Sequence, residues 1–334
     1  MANTIALVGG DTLLGREIRE VFNESSLGRQ LKLVAGEEEE TGKVVAIDGG
    51  LSIVSELKED DLEDAEVVIL ASGAEASKKA LAMRPNGRLV IDLTGVAEDE
   101  PDSRLRAPLV EDLDPEWLAD QSEFNGPAVV AHPAAVAIAL LLRRLHRAFG
   151  VASSVIQVFE PASERGKPGV DELQAQTVSL LSFQEMPKKI FDSQLSFNML
   201  AALGDDAASP LHVIEERIER HLATLLNSED PAPMPSLRLV QSPVFHGYSA
   251  SVWVSFEEAP SAQEIEETLS EAGIDVRGAG LEPPNNAGIA GQSGISVGAI
   301  AADRNNSSAV WMWLVADNLR LTAENAARLA MEVL

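Results

Sequence analysis

Side chains able to do chemistry are few in this chain, and the thiol is missing altogether. None of the 334 residues is cysteine, which excludes disulfides, thiolate metal sites and thiol nucleophiles together. Gly294-Ile295-Ser296-Val297-Gly298 spells a nucleophile-elbow pattern. That pattern needs a strand, a sharp turn and a helix, whereas Ala299-Ile300-Ala301 reads as a continuing strand, so Ser296 is expected to be structural. His246 and Tyr248 are two apart, and on a strand would share a face and could enter one cleft. His132 stands where a strand meets a helix and could donate to a ligand or cap that helix. His212 and His221 are nine apart and cannot form an i, i+4 zinc pair, so no metal is expected. Arg165 and Lys167, ahead of a helix expected to begin near Pro168, could form a small anion site with that helix's N-terminus, or lie in a solvated loop.

The remaining motif is a glycine loop, Gly9-Gly10-Asp11-Thr12-Leu13-Leu14-Gly15, placed between an apolar run and a helix. Backbone N–H groups there could receive a dinucleotide pyrophosphate. The middle glycine that lets a pyrophosphate approach would fall on Thr12, whose side chain hinders it although its hydroxyl could donate, and Asp11 adds a negative charge. A tight turn without ligand explains the loop equally well. Glu37 to Glu40 follow the second apolar run. Acidic groups there suit a ribose 2′-hydroxyl and oppose a 2′-phosphate, which favours NAD over NADP; a solvated loop is the plain alternative.

These residues need elements to hold them. Short runs at 5–8, 31–35, 67–71, 89–93 and 129–131, apolar on both faces, read as parallel strands covered by helices at 14–22 and 75–83. The alternation predicts a doubly wound α/β domain. A buried helix at 134–149 ends at Gly150. Beyond it the pattern changes to strands at 154–159, 249–256 and 310–315 and helices at 171–181, 212–226 and 264–272, with a loop at 227–235. This predicts an α+β second domain. A final helix over 322–334 is expected, with Thr322 as its N-cap.

Several segments, in order, resemble the aspartate-semialdehyde dehydrogenase family. They are residues 8–17, 71–79 (ASGAEASKK), 89–95 (LVIDLTG), 129–138 (VVAHPAAVAI), 166–177 (GKPGVDELQAQT), 194–200 (QLSFNML) and 316–320 (ADNLR). Residues 240–247 (VQSPVFHG) are similar to the cysteine-poor Usg-type paralogues. The resemblance implies a Rossmann-type dinucleotide-binding domain over 1–133 with 316–334, and a dimerisation and former catalytic domain over 134–315. It places cofactor contacts at Gly9, Thr12, Leu13, Leu14, Gly15, Ser72 and Gly73. It also implies a reaction. A thiolate attacks the semialdehyde, hydride passes to a nicotinamide, and phosphate releases an acyl phosphate while a histidine manages protons. In this chain the nucleophile position falls on Ala135, the glutamine near the thiol on Glu160, the substrate-binding arginine on Gln241 and the histidine on Tyr248. A phosphate-site arginine falls on Glu98, and Glu215 and Arg217 keep the character of a family acidic–basic pair.

The expectation is therefore a catalytically inactive relative with a retained ligand cleft and a binding or regulatory role. One alternative is an NAD(P)-dependent oxidoreductase acting on a small aldehyde without a cysteine intermediate, with Tyr248 or His246 moving protons. Another is a purely structural dimer that binds a related enzyme. Dinucleotide binding, if retained, is expected to be weak and to favour NAD. The net charge of −27 should repel nucleic acids and anionic membranes. The longest mid-chain apolar stretch, 134–142, is too short to span a bilayer, and the N-terminus lacks the basic start of a signal peptide. A cytoplasmic homodimer with a possible small-molecule ligand is expected, the pairing carried by residues 166–177 and 194–200.

Overall fold

Strands of three or four residues, most of them apolar, build the first sheet. The computed structural model describes residues 4–36, 41–47, 50–84, 87–111, 126–258 and 260–334. Two compact units emerge, Met1–Ala131 with Thr322–Leu334, and His132–Leu321. In the first, β1 (Ile5–Val8), α1 (Leu13–Glu24) and β2 (Leu31–Val34) are followed by a hairpin of β3 (Val44–Ile47) and β4 (Gly50–Ile53). Then come α2 (Glu59–Glu63), β5 (Val67–Leu70), α3 (Ala74–Ala82), β6 (Leu89–Asp92), β7 (Arg104–Arg106), α4 (Pro108–Glu111) and β8 (Ala128–Val130). The sheet order is β2-β1-β5-β6-β8-β7, with every pairing parallel. β1 and β5 are buried along their whole length, as a sheet covered on both faces requires. The expected Rossmann-type α/β architecture is what forms.

The second unit begins with α5 (Pro133–Phe149), which has proline at its start and ends at Gly150 with φ of 66°. It continues through β9 (Val151–Glu160), α6 (Gly166–Leu181), α7 (Leu211–Leu225), β10 (Ser236–Gln241), β11 (Tyr248–Phe256), α8 (Ala262–Glu271), β12 (Asp275–Arg277), α9 (Asn286–Ile289), β13 (Ile295–Ala302) and β14 (Ala309–Ala316). Its mixed sheet runs β10-β9-β11-β14-β13-β12. Strand alternation sorts its side chains. Even-numbered residues of β9, β11 and β14, such as Ile156, Val158, Ala250, Val252, Met312 and Leu314, are buried. Odd-numbered Val155 and Trp311 keep 49% and 43% exposure, and Phe159 lies against Trp313 with ring centroids 5.8 Å apart.

Three expectations need correction. The closing helix is α10 (Asn318–Met331), so Thr322 lies inside it. Asp317 caps it, its Oδ1 accepting from the N–H groups of Leu319 and Arg320, both at 3.0 Å. A carboxylate accepts two helix N–H groups at once, which a threonine hydroxyl further along cannot match. Second, α6 starts at Gly166 rather than 171, because Pro168 is tolerated in a first turn. Third, Arg165 and Lys167 form no anion site. Arg165 turns inward to Glu160 and to the Ser209 carbonyl, and Lys167 pairs with Asp171. Ser296 lies in β13 and donates to Asp275 at 2.6 Å, a structural role as expected. No helix among the described residues is long and apolar enough to cross a membrane.

Candidate functional site

The glycine loop is shaped by contact. Gly9 has φ of 87°, and a Cβ on Gly15 would lie 2.2 Å from the Gly9 carbonyl oxygen, so α1 can start this close to β1 only with glycine at both places. Thr12 is the N-cap, its hydroxyl accepting from Gly15 N–H at 2.9 Å. The same hydroxyl lies 2.8 Å from the Gly9 carbonyl and 2.9 Å from that of Ala71, so its proton is engaged within the protein. The expectation that Thr12 could donate to a ligand is overturned. Leu13 and Leu14 open α1, and Leu14 packs on the core. Ser72 packs against Gly9 and carries a buried Oγ without a hydrogen-bond partner, while Gly73 precedes α3. Asp11 is clamped by Arg16 at 2.9 Å and Lys43 at 3.0 Å. The loop has the form of a strand-to-helix phosphate cradle, and its one carboxylate is balanced by two cations. Glu37 to Glu40 lie outside the described residues. Thr12→Val should cost the first unit about 1–2 kcal/mol, read as a lower urea midpoint, because cap and bridge are lost together; an unchanged midpoint would show the hydroxyl to be idle.

In the second unit, cross-strand register brings polar residues into one row. Gln241 ends β10 opposite Glu160, which ends β9. Ser249 pairs Phe159, so Tyr248 stands opposite Glu160 on the other side, and Tyr248 in turn pairs Ala316. Residues in one row of a sheet point to one face. Here it is the helix-covered face, where Glu160 and Gln241 are fully buried and Tyr248 is 4% exposed. Gln241 Nε2 donates to the Glu160 carbonyl at 2.9 Å. Arg165 Nε donates to Glu160 Oε1 at 3.1 Å, and its Nη1 donates to the Ser209 carbonyl.

Around the row sits a charged neighbourhood. His132 caps α5, its Nδ1 accepting from Ala134 N–H, and its Nε2 faces Glu164 at 3.3 Å. Its ring meets Tyr248 edge-on with centroids 5.8 Å apart. Its backbone N–H donates to Nδ1 of buried His221 at 2.8 Å. Burial pushes Glu160 up to about 8, with the Glu164 charge adding and Arg165 opposing. Burial would also raise Glu164, but His132, Arg217 and Arg165 outweigh it and hold that carboxyl below its usual range. Desolvation first, then the Glu164 and Glu160 charges, pushes the Tyr248 phenol well up; its hydroxyl makes no well-formed hydrogen bond. A cavity of about 10 Å³ lies against Tyr248, walled by Ala134, Ile138, Val158, Leu314 and Ala316.

Tyr248 and His246 do not share a strand face. β11 begins at Tyr248, and Gly247 has φ of 83°, which breaks the alternation. His246 instead bridges Ser163 Oγ, 3.1 Å from its Nδ1, and Asp317 Oδ2, 2.8 Å from its Nε2. His212 is exposed while His221 is buried, and among the described residues no three His, Asp or Glu side chains are grouped to hold a metal. Glu215 accepts from Leu239 N–H at 2.7 Å, tying α7 to β10. Glu98 belongs to the first unit, in the turn after β6.

The sequence profile of the semialdehyde dehydrogenase dimerisation domain matches residues 142–321. The chain belongs to the semialdehyde dehydrogenase family. An aspartate-semialdehyde dehydrogenase of Rickettsia bellii is 26% identical over 99% of this chain and 97% of its own length. A USG-1 protein homolog of Pseudomonas aeruginosa is 29% identical, covering 99% of this chain and 97% of its own. The structure of a probable aspartate-semialdehyde dehydrogenase from Pseudomonas aeruginosa superposes with a TM-score of 0.84 at 26% identity, over 99% of this chain and 98% of that one. Glu160, Gln241 and Tyr248 share one row of the second unit's sheet, and Ala135 is fully buried in the first turn of α5. What sequence reasoning missed is their company: Arg165, Glu164 and His221. A glutamate ending a buried strand needs a cation, and Arg165, five residues on, was the available signal.

Proposed function

We propose that this chain is a homodimeric semialdehyde dehydrogenase homologue that binds rather than catalyses, and does not carry out thiol-dependent oxidation of a semialdehyde. The observation that supports this most is Ala135 at the position matched to the nucleophile, buried in the first turn of α5 in a chain without a single sulfhydryl. The groups around it are tied to one another. Arg165 is held by Glu160 and Ser209, and His132 by Ala134 N–H and Glu164, so neither is set out to receive a carboxylate or a phosphate. The direct test is cofactor reduction with aspartate semialdehyde and phosphate, which should be absent; reproducible turnover dependent on both would sink the reading.

Dimerisation is assigned to the odd-numbered face of the second sheet. Trp253 and Trp311 both donate their indole N–H to Asp303, Phe159 stacks near Trp313, and Val155 is half exposed. Three of the chain's four tryptophans thus stand on one face, on a chain with only 4% aromatic residues. Such a face matches the aromatic core of an isologous interface. Light scattering at micromolar concentration should report twice 35.6 kDa. Trp311→Glu should shift it to monomer, because a charge would be buried twice across the two-fold axis. A wild-type monomer, or a Trp311→Glu dimer of unchanged affinity, would remove this face from consideration.

A further inference from the structure

Three strand ends meet at the glycine loop of the first unit. Val8, at the end of β1, lies opposite Val34 of β2 on one side and Leu70 of β5 on the other. The chain turns one way from β1 to reach β2 and the other way to reach β5, so the crevice of this sheet opens beyond the ends of β1 and β5. A dinucleotide fits there on three observations. A Cβ on Gly36 would lie 1.9 Å from Ser72 Oγ, and one on Gly9 2.8 Å from Ser72 Cβ, so glycine at both positions lets the backbone pass. Ser72 is 9% exposed, and its Oγ is buried without a hydrogen-bond partner, a state that proteins rarely tolerate. Thr12 takes the N–H groups of Gly15 and Arg16, which leaves those of Leu13 and Leu14, the first two of α1, for an outside acceptor.

Two cations beside this loop are held by one carboxylate. Asp11 Oδ1 accepts from Arg16 Nη2 at 2.9 Å, and Asp11 Oδ2 from Lys43 Nζ at 3.0 Å. Burial would raise the Asp11 carboxyl, but Lys43 and Arg16 outweigh it and hold that group below its usual range, so it is ionised at neutral pH. Lys43 reaches the loop from the β2 side. Its carbonyl accepts from Val54 N–H at 2.9 Å, and the next residue, Ser55, bonds Leu33 and Ala35 at the end of β2. The end of β2 is where the ribose 2′ position of a dinucleotide is met, by an acid when it carries a hydroxyl and by a cation when it carries a phosphate. The Arg16 and Lys43 side chains are 53% and 47% exposed, so both could reach a ligand once released.

We propose that Asp11 sets the choice of dinucleotide: it occupies Arg16 and Lys43, the two cations placed to receive a 2′-phosphate, and so makes the protein discriminate against NADP. A 2′-phosphate arriving here must compete with a carboxylate that already holds both cations, and it also meets that carboxylate's charge. A 2′-hydroxyl meets neither obstacle. The pyrophosphate is common to NAD and NADP and is received by backbone N–H groups, so the ratio of the two affinities isolates the 2′ position. Neutralising Asp11 frees two cations and removes the anion between them. For a phosphate within a few ångströms that is worth on the order of tenfold or more. The proposal concerns the first unit alone and holds whether or not the second turns over a substrate.

Calorimetry on the full chain with NAD and with NADP tests this. Wild type should bind NAD at least as tightly as NADP. Asp11→Asn should raise NADP affinity on the order of tenfold or more and NAD affinity much less, which reverses the order. Adding Lys43→Ala to that variant should remove most of the gain. The gain should also shrink in about 1 M salt, where charges are screened within ~3 Å. Asp11→Ser serves if Asp11→Asn does not fold, and a urea midpoint checks the fold of each protein. Wild type that prefers NADP, a folded Asp11→Asn variant with an unchanged ratio, or a gain that survives the loss of Lys43 would each overturn the proposal. So would the absence of binding by either dinucleotide to wild type and folded variant alike. Turnover is read separately and bears only on the second unit.

Discussion

Purified protein given aspartate semialdehyde, phosphate and either NAD or NADP is expected to reduce no cofactor above a blank lacking substrate. Losing a covalent nucleophile from a coupled site removes on the order of 10⁶ in rate, and here Ala135 offers no atom that can attack a carbonyl. The Tyr248 phenol is held protonated by burial and by two carboxylates, so it cannot accept a proton at neutral pH. Ala135→Cys alone should therefore leave activity at least ~10³ short of an intact family enzyme, since general acid–base assistance is worth ~10²–10⁴. The new thiol would gain from its place in the first turn of α5, yet would still face a Tyr248 that cannot take its proton and an Arg165 guanidinium already paired with Glu160. Cofactor reduction that requires both semialdehyde and phosphate, in wild type or in that single variant at near-family rates, would be decisive against this account.

The wild-type protein should lose stability as pH rises from about 5 to 8, and Glu160→Gln should remove that part of the loss. A glutamate in the unfolded chain ionises near 4.5, whereas folded Glu160 holds its proton to about 8. Across that window the folded state carries a proton the unfolded state has released, so the native state is progressively disfavoured. Above about 8 both states are ionised and the penalty is constant. Every tenfold difference in proton affinity between the folded and unfolded chain corresponds to ~1.4 kcal/mol, so the swing is on the order of a few kcal/mol. Comparing variant with wild type at pH 5.5 and 8.5 by urea unfolding cancels the other titrating groups. The variant should gain on wild type by ~2–4 kcal/mol between those two values. Parallel pH profiles for the two proteins would show that Glu160 ionises normally.

The elements were legible wherever periodicity was local. β1, β2, β5, β6 and β8 lie within a residue or so of the apolar runs that announce them, and α5 stops at Gly150 as expected. The hairpin of β3 and β4 was invisible because Val44, Leu51 and Ile53 are exposed and carry no burial pattern. β10 was missed, although Leu237 and Leu239 alternate with polar residues, because it follows a proline-rich loop and three of its six residues, SLRLVQ, are polar. For the site, the resemblance named Ala135, Glu160, Gln241 and Tyr248 but said nothing of the partners around them. That depended on register: Glu160 meets Gln241 and Tyr248 across strands 81 and 88 positions away in sequence. No local pattern encodes such a pairing. The role of Thr12 was misjudged for a related reason, since a hydroxyl near a helix start can face a ligand or the helix, and only backbone geometry decides.

The first unit is split in sequence, and this governs when it can fold. Ala323, Ala326, Ala327, Leu329 and Ala330 of α10 fill the same core as Ile5, Leu7, Ile69 and Ile91. During synthesis β1 to β8 leave the ribosome long before those alanines exist, and the whole second unit is made in between. The nascent first sheet must therefore wait with one apolar face open, a state prone to aggregation and to chaperone capture. The second unit, continuous from His132 to Leu321, is under no such delay and should become protease-resistant first. Pulse proteolysis of chains stopped at residue 321 should find residues 132–321 protected and the preceding residues cleaved; equal protection of both would mean that the open sheet closes without its last helix.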